Sequence, residues 1–376
     1  MKYNKVLITG GAGFIGSHLT DYLIDKGYTV RIMDNLHPQI HPSGKLPEYI
    51  NSQAEFFKGD VTSRSDWQKA LKGIDAVVHF GAAVGVGQSM YQIERYVKDN
   101  CLGTALLLDI LANEKHTIKK ILVAASMSSF GEGMYSCPKC NTIQQPDLRN
   151  QKDLKKGIWE PLCKKCYIQM ITVPTDESAK LQSPSVYAIT KKCQEELIIS
   201  IGKAYRIPAV SLRFFNVYGL RQSLSNPYNG VAAIFLSRTK NGNPLIINED
   251  GNQTRDFVHI DDIIKACELT LTSDQANYQI FNVGSGVPTT INEVARVILK
   301  LNNSKLKPEI TGKFRSFDVR HCYADISKLR KLVSWTSKIT FNDGIKEVYE
   351  WSKKEKAEDL VEHAMNELKK RGLRSY

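Results

Sequence analysis

The chain has 376 residues, more than one domain of ~150 residues, which points to a large α/β unit or to two units sharing an interface. At 42% hydrophobic and 24% charged, with 25 Gly and 13 Pro, the composition is that of an ordinary globular protein. It excludes collagen-like, disordered and small disulfide-scaffold classes. A net charge of +12, from 51 Lys+Arg less 39 Asp+Glu, admits nucleic acid, an anionic membrane surface or small anionic ligands.

In chain order, short β-rich apolar runs alternate with helical patterns: a strand from Val6 to Thr9, a helix from Phe14, and strands at Thr29 to Met33, Glu55 to Lys58, Ala76 to Phe80 and Ile121 to Ala125. That alternation implies βαβ units and a parallel sheet covered on both faces. Helices are expected near 91–114 and 184–205, and a further strand at Val210 to Phe215. Gln279 to Val283 reads as sheet again, so a second, smaller unit is expected to be interleaved with the first. The tail from Phe341 reads as a charged, solvated helix. No apolar run reaches the ~18 residues needed to cross a bilayer, and the amino-terminal residues enter a strand without a secretory pattern. A cytoplasmic protein with no membrane partner is expected.

Behind the first strand, Gly10, Gly13 and Gly16 open the first helix, with Phe14 and Ile15 in its first turn. Glycine there allows a tight turn, close backbone approach to a pyrophosphate and close packing of helix on strand, while the helix N-terminus offers free N–H groups. Asp34 ends the second strand 18 residues past Gly16, where a carboxylate accepts hydrogen bonds from an adenine ribose. That carboxylate repels a 2′-phosphate, and Asn35 rather than Arg follows it, so NAD is favoured over NADP.

Ser126 ends the fifth strand, and Tyr187 and Lys191 lie four apart in a helical stretch, hence on one face. A Lys191 ammonium beneath the Tyr187 hydroxyl, together with a positive nicotinamide, lowers the tyrosine pKa toward neutrality. It then acts as general base on a substrate hydroxyl whose carbon gives up hydride. Ser126 donates a hydrogen bond to the same oxygen.

With Gly59-Asp60-Val61, His79-Phe80-Gly81-Ala82-Ala83, Asn100, Arg213-Phe-Phe-Asn216-Val-Tyr-Gly219, Arg255-Asp-Phe-Val-His259 and Asn282-Val-Gly-Ser-Gly286, the chain resembles the extended short-chain dehydrogenase/reductases that act on nucleotide sugars. The resemblance spans about residues 1–340 apart from the paired-cysteine segment. It implies an α/β fold, a Rossmann doubly wound parallel sheet with a smaller carboxy-terminal substrate domain, and a homodimer through the two long helices. By position, Asp60 and Val61 contact adenine, Phe80, Gly81 and Ala82 line the cofactor, and Asn100 supports the active site. Asn216, Arg255 and Arg315 hold the substrate diphosphate, and Gln88, Ser89 and Ser128 face the sugar. The implied boundaries are 1–134 and 173–216 for the NAD-binding domain, 217–340 mainly for the substrate domain with about 255–285 returning to the first, and 341–376 for a terminal helix.

Family 4,6-dehydratases place an Asp-Glu pair directly after the catalytic hydroxyl, whereas Ser126 is followed by Met127-Ser128. A 4-epimerase with tightly held NAD is therefore expected, and a 4-ketoreductase or 4,6-dehydratase is the alternative. Asp34-Asn-Leu-His-Pro-Gln-Ile-His-Pro42, Gly85-Val-Gly-Gln-Ser-Met90 and Asp318-Val-Arg-His321 resemble dTDP-L-rhamnose 4-epimerase-like enzymes most, although Phe317 stands where the group has Gly.

Four of eight cysteines form two pairs, Cys137/Cys140 and Cys163/Cys166, separated by 22 residues. This is zinc-ribbon spacing. Four protein ligands leave no open position, so the zinc is expected to be structural. The segment 135–172 separates Ser126 from Tyr187 and is expected to form a rim or lid over the sugar. A non-enzymatic protein binding RNA through this basic ribbon is the reading from another class. Because the Ser/Tyr/Lys set is intact and the insert lacks a dense basic run interleaved with aromatics, nucleic acid is disfavoured.

Overall fold

The apolar runs become strands because both of their faces are covered. In the computed structural model, which describes residues 3–228, 230–315 and 317–374, Val6 and Ile8 of the first strand enter one core cluster and Leu7 the opposite one. Val77 and Val78, and Leu122 and Val123, divide in the same way, as buried parallel strands require.

The chain runs β1 (Lys5–Thr9), α1 (Phe14–Asp25), β2 (Thr29–Asp34), β3 (Glu55–Lys58), α2 (Arg64–Ala70), β4 (Ala76–His79), α3 (Val86–Ser89), α4 (Ile93–Tyr96), a π-helical turn (Val97–Leu102) continuing into α5 (Gly103–Asn113), and β5 (Lys120–Ser126). The cysteine insert holds β6 (Met134–Ser136), β7 (Ile143–Gln144), α6 (Gln151–Lys155) and β8 (Ile171–Val173). Then follow α7 (Val186–Ala204), β9 (Ala209–Phe214), β10 (Asn216–Tyr218), α8 (Val231–Lys240), β11 (Ile246–Ile247), β12 (Thr254–His259), α9 (Ile260–Thr272), β13 (Gln279–Val283), β14 (Pro288–Thr290), α10 (Ile291–Leu301), β15 (Glu309–Ile310), β16 (His321–Cys322), α11 (Ser327–Val333), α12 (Phe341–Ser352) and α13 (Val361–Lys370).

Seven parallel strands form one sheet in the order β13-β9-β5-β4-β1-β2-β3. The order reverses between β1 and β4, and a crevice opens at the strands' carboxyl ends at such a point. Leu19 and Leu23 of α1 and Ile263 and Ile264 of α9 cover one face; Trp67 of α2, Leu107 of α5 and Ile198 of α7 cover the other. This is the Rossmann doubly wound arrangement. A second core gathers α8, α10 and α12 around Phe257 of β12.

Of the 255–285 segment expected to return to the first domain, α9 covers its sheet and β13 joins it beside β9, while β12 pairs with β10, β14 and β16 in a separate small sheet. One expectation needs revision. The tail is not one solvated helix. Ile345 and Val348 of α12 and Val361, Ala364 and Leu368 of α13 are buried, and Leu368 lies over Gly87 of α3. Among the described residues no helix is long and apolar enough to cross a membrane.

Candidate active site

The crevice is a cavity of about 860 Å³. Its wall includes Gly10, Gly13, Phe14, Ile15, Gly16, Asp34, Asn35, Val61, Phe80, Gly81 and Ala82 at one part, and Ser126, Tyr187, Lys191 and Asn216 at another. One space thus joins the glycine turn to the Ser/Tyr/Lys set.

The glycine turn suits a dinucleotide. Gly10 adopts φ +66°, and a Cβ there would sit 3.0 Å from the Gly81 amide; a Cβ on Gly16 would lie 2.3 Å from the Gly10 carbonyl. Side chains would fill the cradle and push the helix off the strand. Gly13 caps α1 without a side chain, leaving its first-turn N–H groups for an anion. Asp34 accepts from the Ala12 amide at 3.1 Å and the Leu36 amide at 2.9 Å. A carboxylate has about four acceptor positions, so ribose hydroxyls can still be taken. Asn35 donates to Asp60 at 3.0 Å, and Asp60 also accepts from the Thr62 amide and hydroxyl. Asp60 stands behind the wall, with Val61 forming the wall itself.

Ser126 and Tyr187 meet. Burial pushes the Tyr187 hydroxyl up to about 12, and a hydrogen bond with Ser126 works against that rise. Ser128 donates to the Ser126 Oγ at 2.9 Å, so Ser128 steadies Ser126 and does not itself line the wall. Lys191 donates to the Ala124 carbonyl at 2.8 Å and to Gln194 Oε1 at 2.9 Å. Burial lowers its pKa to about 7.

A buried chain of polar groups beneath these residues was not read from the sequence. Thr104 spends its hydroxyl proton on the Asn100 carbonyl at 2.7 Å, so it accepts from Gln194 at 2.8 Å and from His79 Nε2 at 3.0 Å. His79 Nδ1 then accepts from the Thr9 hydroxyl at 2.8 Å, and Thr9 in turn accepts from the Gly81 amide at 2.9 Å. Gln194 therefore ties Lys191 to the strand end that carries the cofactor wall. Burial, and secondarily Lys191, depress the His79 pKa to about 3. Asn100 lies in the π-helical turn, a distortion that often marks functional sites. It clamps Ala83 on both sides, accepting from its amide at 2.7 Å and donating to its carbonyl at 3.1 Å, and it donates to Thr190 at 2.9 Å.

Several residues expected on the substrate stand elsewhere. Ser89 is fully buried behind the tyrosine, where it accepts from the Tyr187 amide at 3.0 Å and donates to the Val86 carbonyl at 2.7 Å. Gln88 is buried against Gln39 and Tyr96. Arg255 is seated on backbone carbonyls, those of Thr254 (2.7 Å), Val319 (2.7 Å) and Arg320 (3.1 Å). Arg315 pairs with Asp318 at 2.8 Å and lies over the Phe317 ring. Both arginines stand outside the cavity wall. Asn216 is in the wall, and its Oδ1 is buried without a hydrogen-bond partner, which suits a ligand donor. Arg95, Arg221 and Tyr228 also line the cavity; no motif announced them, because the short helix α4 and the segment after β10, distant in sequence, deliver them.

The four paired cysteines converge. Their sulfurs lie within 4.8 Å of one another, and Cys140 Sγ stands 3.7 Å from Cys163 Sγ. A tetrahedral zinc with Zn–S of about 2.3 Å requires edges of about 3.8 Å, so the set fits. Residues 127–183 contribute nothing to the wall of this cavity, so the insert does not form the expected rim over it.

Sequence models agree with this geometry. That of the NAD dependent epimerase/dehydratase family matches residues 6–152, and that of GDP-mannose 4,6 dehydratase matches residues 165–348. The chain is 35% identical to a dTDP-L-rhamnose 4-epimerase of Burkholderia thailandensis, covering 92% of this chain and 94% of that one. It is 33% identical to a putative UDP-glucose 4-epimerase of Methanocaldococcus jannaschii, covering 93% and 98%. Among solved structures, UDP-glucose 4-epimerase of Thermotoga maritima with UDP-glucose superposes with a TM-score of 0.76 at 28% identity, covering 93% and 99%. UDP-glucuronic acid 4-epimerase of Bacillus cereus with UDP-glucuronic acid and NAD gives 0.75 at 25% identity, with the same coverage. With the Ser/Tyr/Lys set on the wall of a cradle suited to a dinucleotide, the chain belongs to the NAD-dependent epimerase/dehydratase family, the short-chain dehydrogenase/reductases that act on nucleotide sugars.

Proposed function

We propose that the protein is a 4-epimerase of nucleotide sugars with tightly held NAD, and that a dTDP-6-deoxyhexose such as dTDP-L-rhamnose is its substrate. The observation that carries the reaction is the presence of Ser126, Tyr187 and Lys191 on the wall that the glycine turn shares, with Ser126 hydrogen-bonded to Tyr187. The relative named for dTDP-L-rhamnose supports the sugar.

Tyr187 takes the proton of the C4 hydroxyl, and Ser126 donates to the same oxygen. NAD, when bound, supplies the acceptor for the C4 hydride and the positive charge of its ring. Tyr187 returns the proton to the keto oxygen as C4 is reduced from its other face. Lowering the Tyr187 pKa from about 12 to near neutrality takes about 5 units, or about 7 kcal/mol. Ser126 already acts in that direction, and Lys191, when it carries its ammonium proton, adds to it together with the ring charge of the bound cofactor. No second acid pair is needed, and Met127-Ser128 provides none.

Asn216 accepts from the substrate, and Arg255 and Arg315 bind its diphosphate. Residues 1–134 and 173–216 form most of the NAD-binding domain, and 217–340 mainly the substrate domain. The four cysteines hold structural zinc. A homodimer forms through α4, the π-helical turn with α5, and α7, along which the exposed Ile93, Val97, Leu102 and Ile189 offer an apolar face.

Incubation with dTDP-, UDP-, GDP- and CDP-sugars, followed by NMR, tests the reading: epimer formation is expected without added cofactor. Loss of the C6 hydroxyl would indicate a 4,6-dehydratase, and net NADH consumption a 4-ketoreductase. Tyr187→Phe should lower kcat at least a thousandfold with NAD retained; activity surviving that change would refute the assigned base.

A further inference from the structure

The insert is too small to fold on apolar burial alone. Its own core consists of Tyr135, Cys137, Cys163 and Met170, with partly buried neighbours, and units below ~40 residues ordinarily need a metal or cross-links. The two cysteine turns repeat the same local geometry. The Asn141 amide donates to the Cys137 carbonyl at 2.8 Å, and the Tyr167 amide to the Cys163 carbonyl at 2.9 Å. The residues after the second cysteines, Asn141 and Tyr167, take φ +54° and +55°. Two equivalent knuckles presenting four sulfurs make a metal cage.

What the cage holds in place is the 22-residue stretch between the knuckles, which sends two charged side chains into the protein. Arg149 grips Glu249 with both guanidinium nitrogens, at 2.8 and 2.9 Å, donates to the Asp318 carbonyl at 2.9 Å, and stands 3.2 Å from Glu132. Glu160 accepts from Arg320 at 2.8 Å. Because His321 Nδ1 accepts from the Thr254 amide, its Nε2 carries the proton given to Glu160 at 2.9 Å. Arg320 is itself buried and also reaches Asp250 at 2.7 Å. The carbonyls of Val319 and Arg320, fixed by these contacts, are the seat of Arg255.

We propose that the cysteine insert is a metal-folded clamp: a thiophilic divalent cation on Cys137, Cys140, Cys163 and Cys166 orders Arg149 and Glu160, which lock residues 318–321 and so position Arg255 for a nucleoside diphosphate. The inference rests on the zinc site and on the diphosphate role of Arg255 proposed above. Arg149 and Glu160 are positioning residues, and they act on affinity for the substrate rather than on the proton transfer at Tyr187.

The test uses the full-length protein. Metal content and the thiolate charge-transfer bands of a cobalt-substituted sample establish the site. Calorimetry with UDP and dTDP, bound-NAD content, and amide exchange over 317–322 are then measured for metal-loaded protein, chelator-stripped protein, and metal-loaded Arg149→Met and Glu160→Gln. One metal per chain is expected. Stripping and Arg149→Met should each weaken the better-bound nucleoside diphosphate at least tenfold, speed exchange over 317–322, and leave NAD content unchanged. Glu160→Gln, which keeps the shape and one acceptor, should show a smaller loss. In turnover, KM should rise and kcat stay within about threefold. Should stripping unfold the chain, the two metal-loaded variants decide. Affinity and exchange unchanged in Arg149→Met would overturn the clamp while leaving the zinc site standing. Absence of metal and of cobalt bands would overturn the site, and an intact protein binding neither nucleotide would overturn the diphosphate reading and the clamp with it.

Discussion

Removing one hydroxyl behind the active site should slow the reaction without touching the substrate. At the N-terminus of α7, Ser185 caps the Ala188 amide at 3.2 Å, but the Tyr187 amide is satisfied from another element, by Ser89 of α3 at 3.0 Å. Ser89→Ala leaves a buried amide without an acceptor, which costs about 1–3 kcal/mol. At about 2.1 cal/mol/K per residue, the entropy of unfolding this 376-residue chain is about 0.8 kcal/mol/K, so the midpoint should fall by about 1–4 °C. The helix turn that carries the tyrosine can recover an acceptor only by shifting, and a displacement of the order of 1 Å at a reacting group costs up to about a hundredfold. We therefore expect kcat to fall about 10- to 100-fold, with KM within about threefold and NAD content unchanged. Steady-state kinetics on the sugar found active in the NMR panel, beside scanning calorimetry, measure both effects. If KM rises while kcat and the midpoint stay put, Ser89 faces the sugar and the capping argument fails.

The contrast between Ser89 and Ser126 shows where the sequence is readable. Ser126, Tyr187 and Lys191 are placed by local rules, a strand end and a four-residue helical spacing, and all three reach the wall of one cavity, although the Lys191 amine is spent on Ala124 and Gln194 and not on the tyrosine hydroxyl. The glycine turn and Asp34 are likewise joined by one βαβ unit. The paired cysteines were legible because thiolate spacing is itself a geometric code. What stayed hidden depends on partners far along the chain. Ser89 reaches Tyr187 across 98 positions, and Glu160 reaches Arg320 across 160. Arg255 and Arg315 carry the charge that a diphosphate asks for, but carbonyls and Asp318 occupy their guanidinium groups, and a motif cannot show which partner a flexible arginine takes. In the tail, which reads as a charged helix, Leu368 is buried because α3, with Gly87, offers a surface that only the folded chain possesses.

Asp34→Asn removes the charge opposing a 2′-phosphate while disturbing the acceptor that holds the Ala12 and Leu36 amides. NAD affinity should fall about tenfold and the preference for NAD over NADP should narrow by at least as much, as read by cofactor titration of stripped protein; an unchanged ratio would remove Asp34 from the specificity argument. Acid should destabilise the protein in part through His79. Burial lowers its folded-state pKa to about 3, against about 6.5 in the unfolded chain. As pH falls below about 6.5 the unfolded chain takes up this proton and the folded chain does not, so stability present above that value is lost progressively down to about pH 3. The loss is about 1.4 kcal/mol per pH unit, or about 3 kcal/mol by about pH 4.5. His79→Gln has no such proton to bind, so although it is less stable at neutral pH, its stability between about pH 6.5 and 4.5 should decline by about 3 kcal/mol less than that of the parent. The carboxylates titrate alike in both proteins and cancel in the comparison. Urea unfolding across that range measures the two slopes, and equal slopes would mean that His79 is protonated in the fold and that the Thr9–His79–Thr104 assignment is wrong.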